Sequence, residues 1–392
     1  MKKNLYLMYA ISCLQGMVFY GPISTLYRQA AGVGIFEITL IESISMALTV
    51  ALELPFGILA DRIGYRRSMI LCCLLYFVSK IVFWRAAGFG GFLAERILLA
   101  VVCAGLSGVD ASMVYLSCEK KEETQKAFGL YESFGTAGLL AAGVVYAVFI
   151  GDNYRLSGLM TVGSYGVAAV LALLLKEVRP PEKKKAPARA FLRLLGETVK
   201  NKRLLLLILS AALFLQTHQT VTVFLNQLQY ARAGMSGSAI AFAFTVMVIA
   251  GLSGGFSARL TRLTGDRGTG LLLIFSGLLA CALLCVTNNA VLSVLMVVAL
   301  RLCASLFTPL KARLENDAVQ SADRATALSL NAVMMEGVAV VTNLLFGAAA
   351  KKSVEGAMAL GALLSALSLV LFFAAVRRSK DDSKEAPAAV IK

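Results

Sequence analysis

The sequence predicts an all-α integral membrane protein with twelve transmembrane helices arranged as two pseudo-symmetric six-helix bundles. Composition is the first reason: 58% of the 392 residues are hydrophobic and only 16% are charged, against roughly 45–50% apolar and about 25% charged in a soluble globule. The second is that apolar runs of about 20 residues, enough to cross a bilayer, recur from end to end, giving a mean hydropathy of +0.76. The third is a single polar, proline-bearing stretch that interrupts them midway.

In chain order the spans fall at residues 5–27, 38–60, 68–87, 92–117, 127–150 and 156–176, then 203–230, 237–259, 269–287, 290–313, 325–349 and 355–377. Residues 1–176 form the N-terminal bundle and 203–377 the C-terminal one. Between them, residues 177–202 carry Pro180, Pro181, Pro187 and a run of lysines, a basic cytoplasmic linker. Within it Phe191, Leu192, Leu194, Leu195 and Val199 are spaced for an amphipathic helix on the membrane surface. The tail, 378–392, is polar and expected to be disordered. Met1-Lys2-Lys3-Asn4 leads into a span too long for the apolar region of a signal peptide, so none is expected. Pro22, Pro55 and Pro309 are expected to kink their helices.

A formal charge of +15 would suit nucleic acid, but its distribution points to topology instead. Of the 38 Lys and Arg, only Arg28, Arg85, Arg155, Arg232, Lys351 and Lys352 fall in outer loops, and only Lys80, Arg96 and Arg301 lie within spans. The rest cluster on one side, so the positive-inside rule puts both termini in the cytoplasm. The expected location is therefore the cytoplasmic membrane, with the lipid bilayer as partner, no nucleic acid, and a monomeric state.

Seven of the eight cysteines lie in apolar runs and Cys118 at a span edge; they are read as packing residues. Cys281 and Cys285 share a helix face, but no His or second Cys pair stands near to complete a zinc site. No metal and no cofactor are expected. One histidine and scattered carboxylates offer no nucleophile–base pair, which argues against an enzyme.

The densest chemistry lies at Glu53-Leu-Pro-Phe-Gly57-Ile-Leu-Ala-Asp61-Arg62-Ile-Gly64-Tyr-Arg66-Arg67, a turn between the second and third spans. Glu53, Gly57 and Asp61 recur at four-residue spacing on one helix face. An acid at a helix C-terminus is misplaced on its own helix, so Asp61 should serve a partner. The run Gly57-x-x-x-Asp61-Arg62-x-Gly64-x-Arg66-Arg67 resembles the loop between helices two and three of the major facilitator superfamily. In that family the acid staples the two halves on the cytoplasmic side, against the start of the eleventh helix, in the outward-open state. The resemblance places the partner at Ser321-Ala-Asp323-Arg324-Ala-Thr326. Glu53-x-Pro55-x-Gly57, together with Arg324-Ala-Thr326, resembles a prokaryotic, efflux-type branch, and the likeness runs through the whole chain. Arg96 matches the family's fourth-helix arginine, but Ala100 replaces its glycine, and the fifth span lacks the Gly-Pro pair of many proton antiporters. In the second half Arg259, after Gly255, stands where the first half has Asp61.

Ionisable groups in the hydrocarbon cost about 2.5–3.5 kcal/mol each on insertion scales and are candidates for function. Arg301 and Glu336 lie at similar depth in the tenth and eleventh spans and are expected either to cement the C-terminal half as a permanent pair or to open for a proton or charged substrate. His218, the only histidine, titrates in a range suited to proton coupling, or else bonds a neighbouring helix. Asp110 is a further proton candidate, with pairing to Arg62, Arg66 or a fifth-helix group as the alternative. Gln219, Thr222, Asn226 and Tyr230 follow helical spacing and, with Gln15, Tyr20 and Asn331, are candidates to line a substrate cavity. Lys80 is expected to snorkel from a peripheral span, and Glu42 to sit at the outer mouth.

The function implied is secondary active transport of a small organic solute by rocker-switch alternating access, most simply proton-coupled efflux of a drug or metabolite. No ATP-binding loop is present, so the energy comes from a gradient or from the substrate. Proton-coupled or facilitated uptake is the alternative, and a non-transporting sensor on the same fold the alternative of another class.

Overall fold

The structure, a computed structural model, describes residues 2–118, 123–178, 201–318 and 324–385, with side chains except at 54, 57, 58, 61, 318, 324–330 and 378–385. The described residues are helical, without strands. Eleven stretches among them are long and apolar enough to cross a membrane. One of these, Gly237–Val286, is 50 residues long. The amphipathic helix expected in the linker and the segment Ser321–Asp323 lie outside the described residues.

Packing divides the chain into two units, Met1–Lys184 with Tyr230–Val248, and Lys185–Gln229 with Ile249–Lys392. In the first unit the helices are α1 (Lys2–Gly16), α2 (Ser24–Ala30), α3 (Ile35–Ile63), α4 (Tyr65–Arg85), α5 (Gly88–Leu106), α6 (Val109–Ser117), α7 (Thr124–Val145) and α8 (Tyr154–Leu173). Pro22 opens a 3-10 turn, Gly21–Ile23, that interrupts the first span between α1 and α2. Proline suits the start of a helical turn because the missing N–H has no intrahelical partner there. Pro55 and Pro309 lie inside long helices. The Glu37 carboxylate accepts from the Gly34 N–H at 2.7 Å, satisfying a free donor at the start of α3.

Close helix approach in this unit comes from small residues. A Cβ on Gly16 would overlap the Gly135 carbonyl, and one on Gly138 the Cys13 carbonyl, so α1 and α7 meet backbone to backbone. Ser12 then donates to the Tyr131 carbonyl at 2.9 Å. At one end of α4, Trp84 lies against Gly158 of α8, where a Cβ would stand 3.0 Å from the indole, and its carbonyl accepts from the Tyr27 hydroxyl at 3.4 Å. The fifth span continues from α7 into a π turn, Tyr146–Ile150. Just before it, a Cβ on Gly143 would lie 2.6 Å from Thr245, so the stretch around Thr245 packs within this unit.

The second unit contains α9 (Lys202–Thr220), a π turn at Val221–Leu225, α12 (Ser257–Val286), α13 (Ala290–Ala318), α14 (Arg324–Lys352) and α15 (Val354–Glu385). The short α10 (Asn226–Arg232) and α11 (Gly237–Ala250) cross the boundary between the units. Phe214, Phe307 and Phe372 meet edge to face in the core of the second unit, with centroids 5.3 and 6.0 Å apart. Such pairs are worth about 0.5–1.5 kcal/mol beyond their buried area. Within α12 the backbone turns at Gly265, φ 70 and ψ 168. Gly64, between α3 and α4, has φ 91 and ψ 149. These two glycines take nearly the same conformation, one that L side chains rarely adopt, and they mark corresponding turns. Counting back three residues from each puts Arg262, rather than Arg259, at the position of Asp61. The register inferred from Gly255 was therefore shifted, because the turn glycine sets it.

Candidate functional site

The first unit encloses a nest of charges. The Lys80 ammonium is 4% exposed, so it does not snorkel. It donates to the Tyr20 hydroxyl at 3.1 Å and lies 3.8 Å from Glu95 Oε1. The rings of Tyr76, Tyr165 and Tyr20 surround it at 4.9, 5.1 and 5.7 Å from their centroids, a cation–π cage. Glu95, 1% exposed, also lies 3.6 Å from Arg96 Nε, and Arg96 pairs with Glu42 at 3.0 Å. Arg28 is buried, with its guanidinium carbon 5.5 Å from the Phe83 centroid and 5.9 Å from that of Phe92. Tyr20 stacks on Phe83 at 3.9 Å.

Low dielectric explains the arrangement. An isolated ion is too costly to bury, and alternating signs offset part of that cost. Glu95 was not singled out in the sequence. The signal available was two adjacent charges, Glu95 and Arg96, in the middle of an apolar span, each of which needs a partner on another helix.

The second unit is built differently. Its seventh-span polar run forms hydrogen bonds rather than ion pairs. Gln216 Nε2 and Thr220 Oγ1 both donate to Asn343 Oδ1 at 2.9 Å. Gln229 Nε2 donates to the Thr287 carbonyl and to Ser293 Oγ, each at 2.9 Å. His218 is buried; its carbonyl accepts from Thr222 Oγ1 at 2.8 Å and its Nε2 lies 3.5 Å from Arg301 Nη1. Arg301 thus turns toward His218. Glu336, in α14, is half-buried.

The remaining predicted residues are dispersed. Gln15 is half-buried, donating to Cys73 Sγ at 3.4 Å while its carbonyl accepts from the Tyr165 hydroxyl at 2.6 Å. Asn226 and Thr222 are buried, Gln219 is exposed, and Asn331 is buried with both amide atoms unpaired. The spacing that would align Gln219, Thr222, Asn226 and Tyr230 on one face is broken by the π turn, which adds a residue to the helical cycle. Asp110 opens α6 after a break at Gly108, φ 76; its Oδ1 accepts from the Ala111 N–H at 2.6 Å.

At the turn after α3, Arg66 Nε donates to the Leu175 carbonyl at 2.5 Å and its Nη2 to the Leu173 carbonyl at 3.3 Å. The Glu177 carboxylate in return accepts from the Arg66 N–H at 3.2 Å. A cation thus sits at the C-terminal end of α8 and an anion at the N-terminal end of α4, each matching its helix dipole. Arg62 and Arg67 are exposed, and Ser107 donates to Glu53 at 2.7 Å. Gly57 and Asp61 are helical, and the Asp61 side chain lies outside those described.

Apolar helices of spanning length, packed as two units with polar interiors, define a multi-pass membrane protein. The model of the Major Facilitator Superfamily matches residues 5–309, and the chain belongs to that family. Curated relatives include uncharacterized MFS-type transporters of Mycobacterium tuberculosis, 28% identical over 125 residues (30% of this chain, 28% of the relative), and of Methanocaldococcus jannaschii, 28% identical over 141 residues (35% and 36%). The match spans about a third of those relatives or less. Among solved structures, the nucleoside transporter NupG superposes with TM-score 0.77 at 14% identity, covering 96% of this chain and 98% of that one. A bacterial homolog of the human lysosomal transporter Spinster, in an inward-facing, unoccupied conformation, gives 0.73 at 16% identity, covering 95% and 96%. At such identities the likeness is one of fold.

Proposed function

We propose that this protein is a secondary transporter of a small organic solute, working by rocker-switch alternating access in the cytoplasmic membrane and coupled to protons, with export as its direction. The observation that carries the reading is the set of polar and ionisable side chains held inside spanning helices, since such groups are costly in lipid and cluster along transport pathways. Twelve spans in two six-helix bundles, joined by the linker 177–202, fit the 50-residue stretch Gly237–Val286. At about 1.5 Å per residue that stretch is far too long for one crossing, and it turns at Gly265. The charge distribution supports an orientation with both termini cytoplasmic, and a monomeric state is part of the same proposal.

Asp61, with Gly57, Arg62, Gly64, Arg66 and Arg67, acts as the conformational latch. Glu336, His218, Arg301 and Asp110 are the proton-coupling set. Export rests on the sequence likeness to efflux-type members. The test is transport by purified protein in liposomes, with substrates found by a thermal-shift screen and driven by a pH jump. Gradient-driven flux should be lost in Glu336→Gln while the thermal shift persists. Coupled flux unaltered by Glu336→Gln, His218→Ala and Asp110→Asn alike would overturn the proton assignment.

A further inference from the structure

Arg301 is the point of departure. In the first unit, Lys80 and Arg96 both have a carboxylate within ion-pair distance. Among the described residues no carboxylate lies within that distance of Arg301. Its Nη1 faces His218 Nε2 at 3.5 Å, and its Nε is buried with no hydrogen-bond partner. A guanidinium has only donors, and a buried donor left unmade costs about 1–3 kcal/mol, more when charged.

Around the guanidinium the backbone packs closely. Gly251 stands where any side chain would collide: a Cβ there would lie 2.5 Å from Arg301 Nε and 2.7 Å from Nη2. Ser305, one turn along α13 from Arg301, donates to the Gly251 carbonyl at 2.6 Å and pins that backbone. His218, whose carbonyl accepts from Thr222, approaches from the seventh span, and Arg301 itself is only half-buried. The cation is held in a defined pose, has donors to spare and retains an open side.

We infer that Arg301, seated on Gly251 beside His218, is the anchor for an anionic group of the transported solute, a carboxylate or phosphate bound by charge-assisted hydrogen bonds. The inference rests on the transporter reading and adds the substrate class to it. Arg is suited to the task, since its planar fork matches both oxyanions. The solute supplies a counter-charge that no described residue places within ion-pair distance of Arg301, and the occupied site is closer to neutral than the empty one.

The test uses the full chain in detergent and a matched set of probes with one ring and different charge: benzoate, phenyl phosphate and the neutral benzamide. Benzoate or phenyl phosphate should raise the melting temperature and benzamide should not; which of the two is stronger separates the carboxylate from the phosphate source. Arg301→Gln should weaken binding at least tenfold, Arg301→Lys should retain part of it, and Gly251→Ala, which displaces the guanidinium without removing it, should weaken it as well. Equal shifts from benzoate and benzamide, no shift from either anion, or full binding by folded Arg301→Gln would overturn the inference. Flux of neutral or cationic solutes with no anion effect would sink the inference and leave transport standing. Anion binding that needs Arg301, without any flux in liposomes, would do the reverse.

Discussion

The two units solve the problem of polarity inside a membrane in opposite ways. In the first, Glu42, Arg96, Glu95 and Lys80 form a chain of alternating charges, closed off by tyrosine rings. In the second, amides and hydroxyls satisfy one another around Asn343, and Arg301 meets a histidine. A chain of paired ions is a rigid framework whose parts cannot be removed singly. A hydrogen-bonded network with a spare cation can accept a guest. On the proposal made above, the paired ions of the first interior are scaffold and Arg301 of the second contacts the solute.

Removing one link of the ion chain should break the comparison most severely. Glu95→Leu leaves Lys80 and Arg96 short of a partner, and loss of one member of a buried pair costs about 3–5 kcal/mol. Unfolding in mixed micelles should show that loss, and the double variant Lys80→Met, Glu95→Leu should recover a large part of it. Strictly additive losses would mean the two are not coupled.

The turns come next. Gly64 and Gly265 share their backbone conformation, but only at Gly64 would a Cβ meet a neighbour, 2.9 Å from Glu177 Oε2. Backbone strain of this kind costs about 1–3 kcal/mol. Gly64→Ala should therefore destabilise by about 2 kcal/mol and Gly265→Ala by about 1 kcal/mol, within that range. The reverse order in the same unfolding assay would refute the role of Glu177.

Asn343→Leu should have a smaller effect, about 1 kcal/mol, because hydrogen bonds between membrane helices average about 0.6 kcal/mol. A loss as large as that of Glu95→Leu would erase the contrast between the two interiors. Smallest of all is Asp266→Ala, which breaks the exposed ion pair with Arg313. Exposed pairs are worth about 0–1 kcal/mol, and a melting temperature within error of the parent is expected.

Much of this architecture was legible in the sequence because lipid imposes it. The apolar runs and the turn at Asp61–Arg67 follow from hydrophobicity and charge, which act over contiguous residues. The charge chain was not legible. Lys80 read as a snorkelling residue because its partners Tyr20 and Glu95 lie on other helices, and nothing in the local sequence reports that distance. In the seventh span a π turn adds a residue that spacing alone does not reveal: Thr222, Asn226 and Tyr230 are buried and Gln219 is exposed. Depth singled out Arg301 and set it level with Glu336, yet the neighbour of its Nη1 is His218, a choice made by packing around Gly251 and not by depth alone.

Trp84 has a consequence of another kind. It is the chain's single tryptophan, and it lies beside Gly158 and next to Phe83, at the aromatic edge of the charge chain. Its fluorescence is therefore a natural optical label for the first interior. Excitation at the red edge of indole absorption reads that unit without any introduced dye, and leaves the second unit dark.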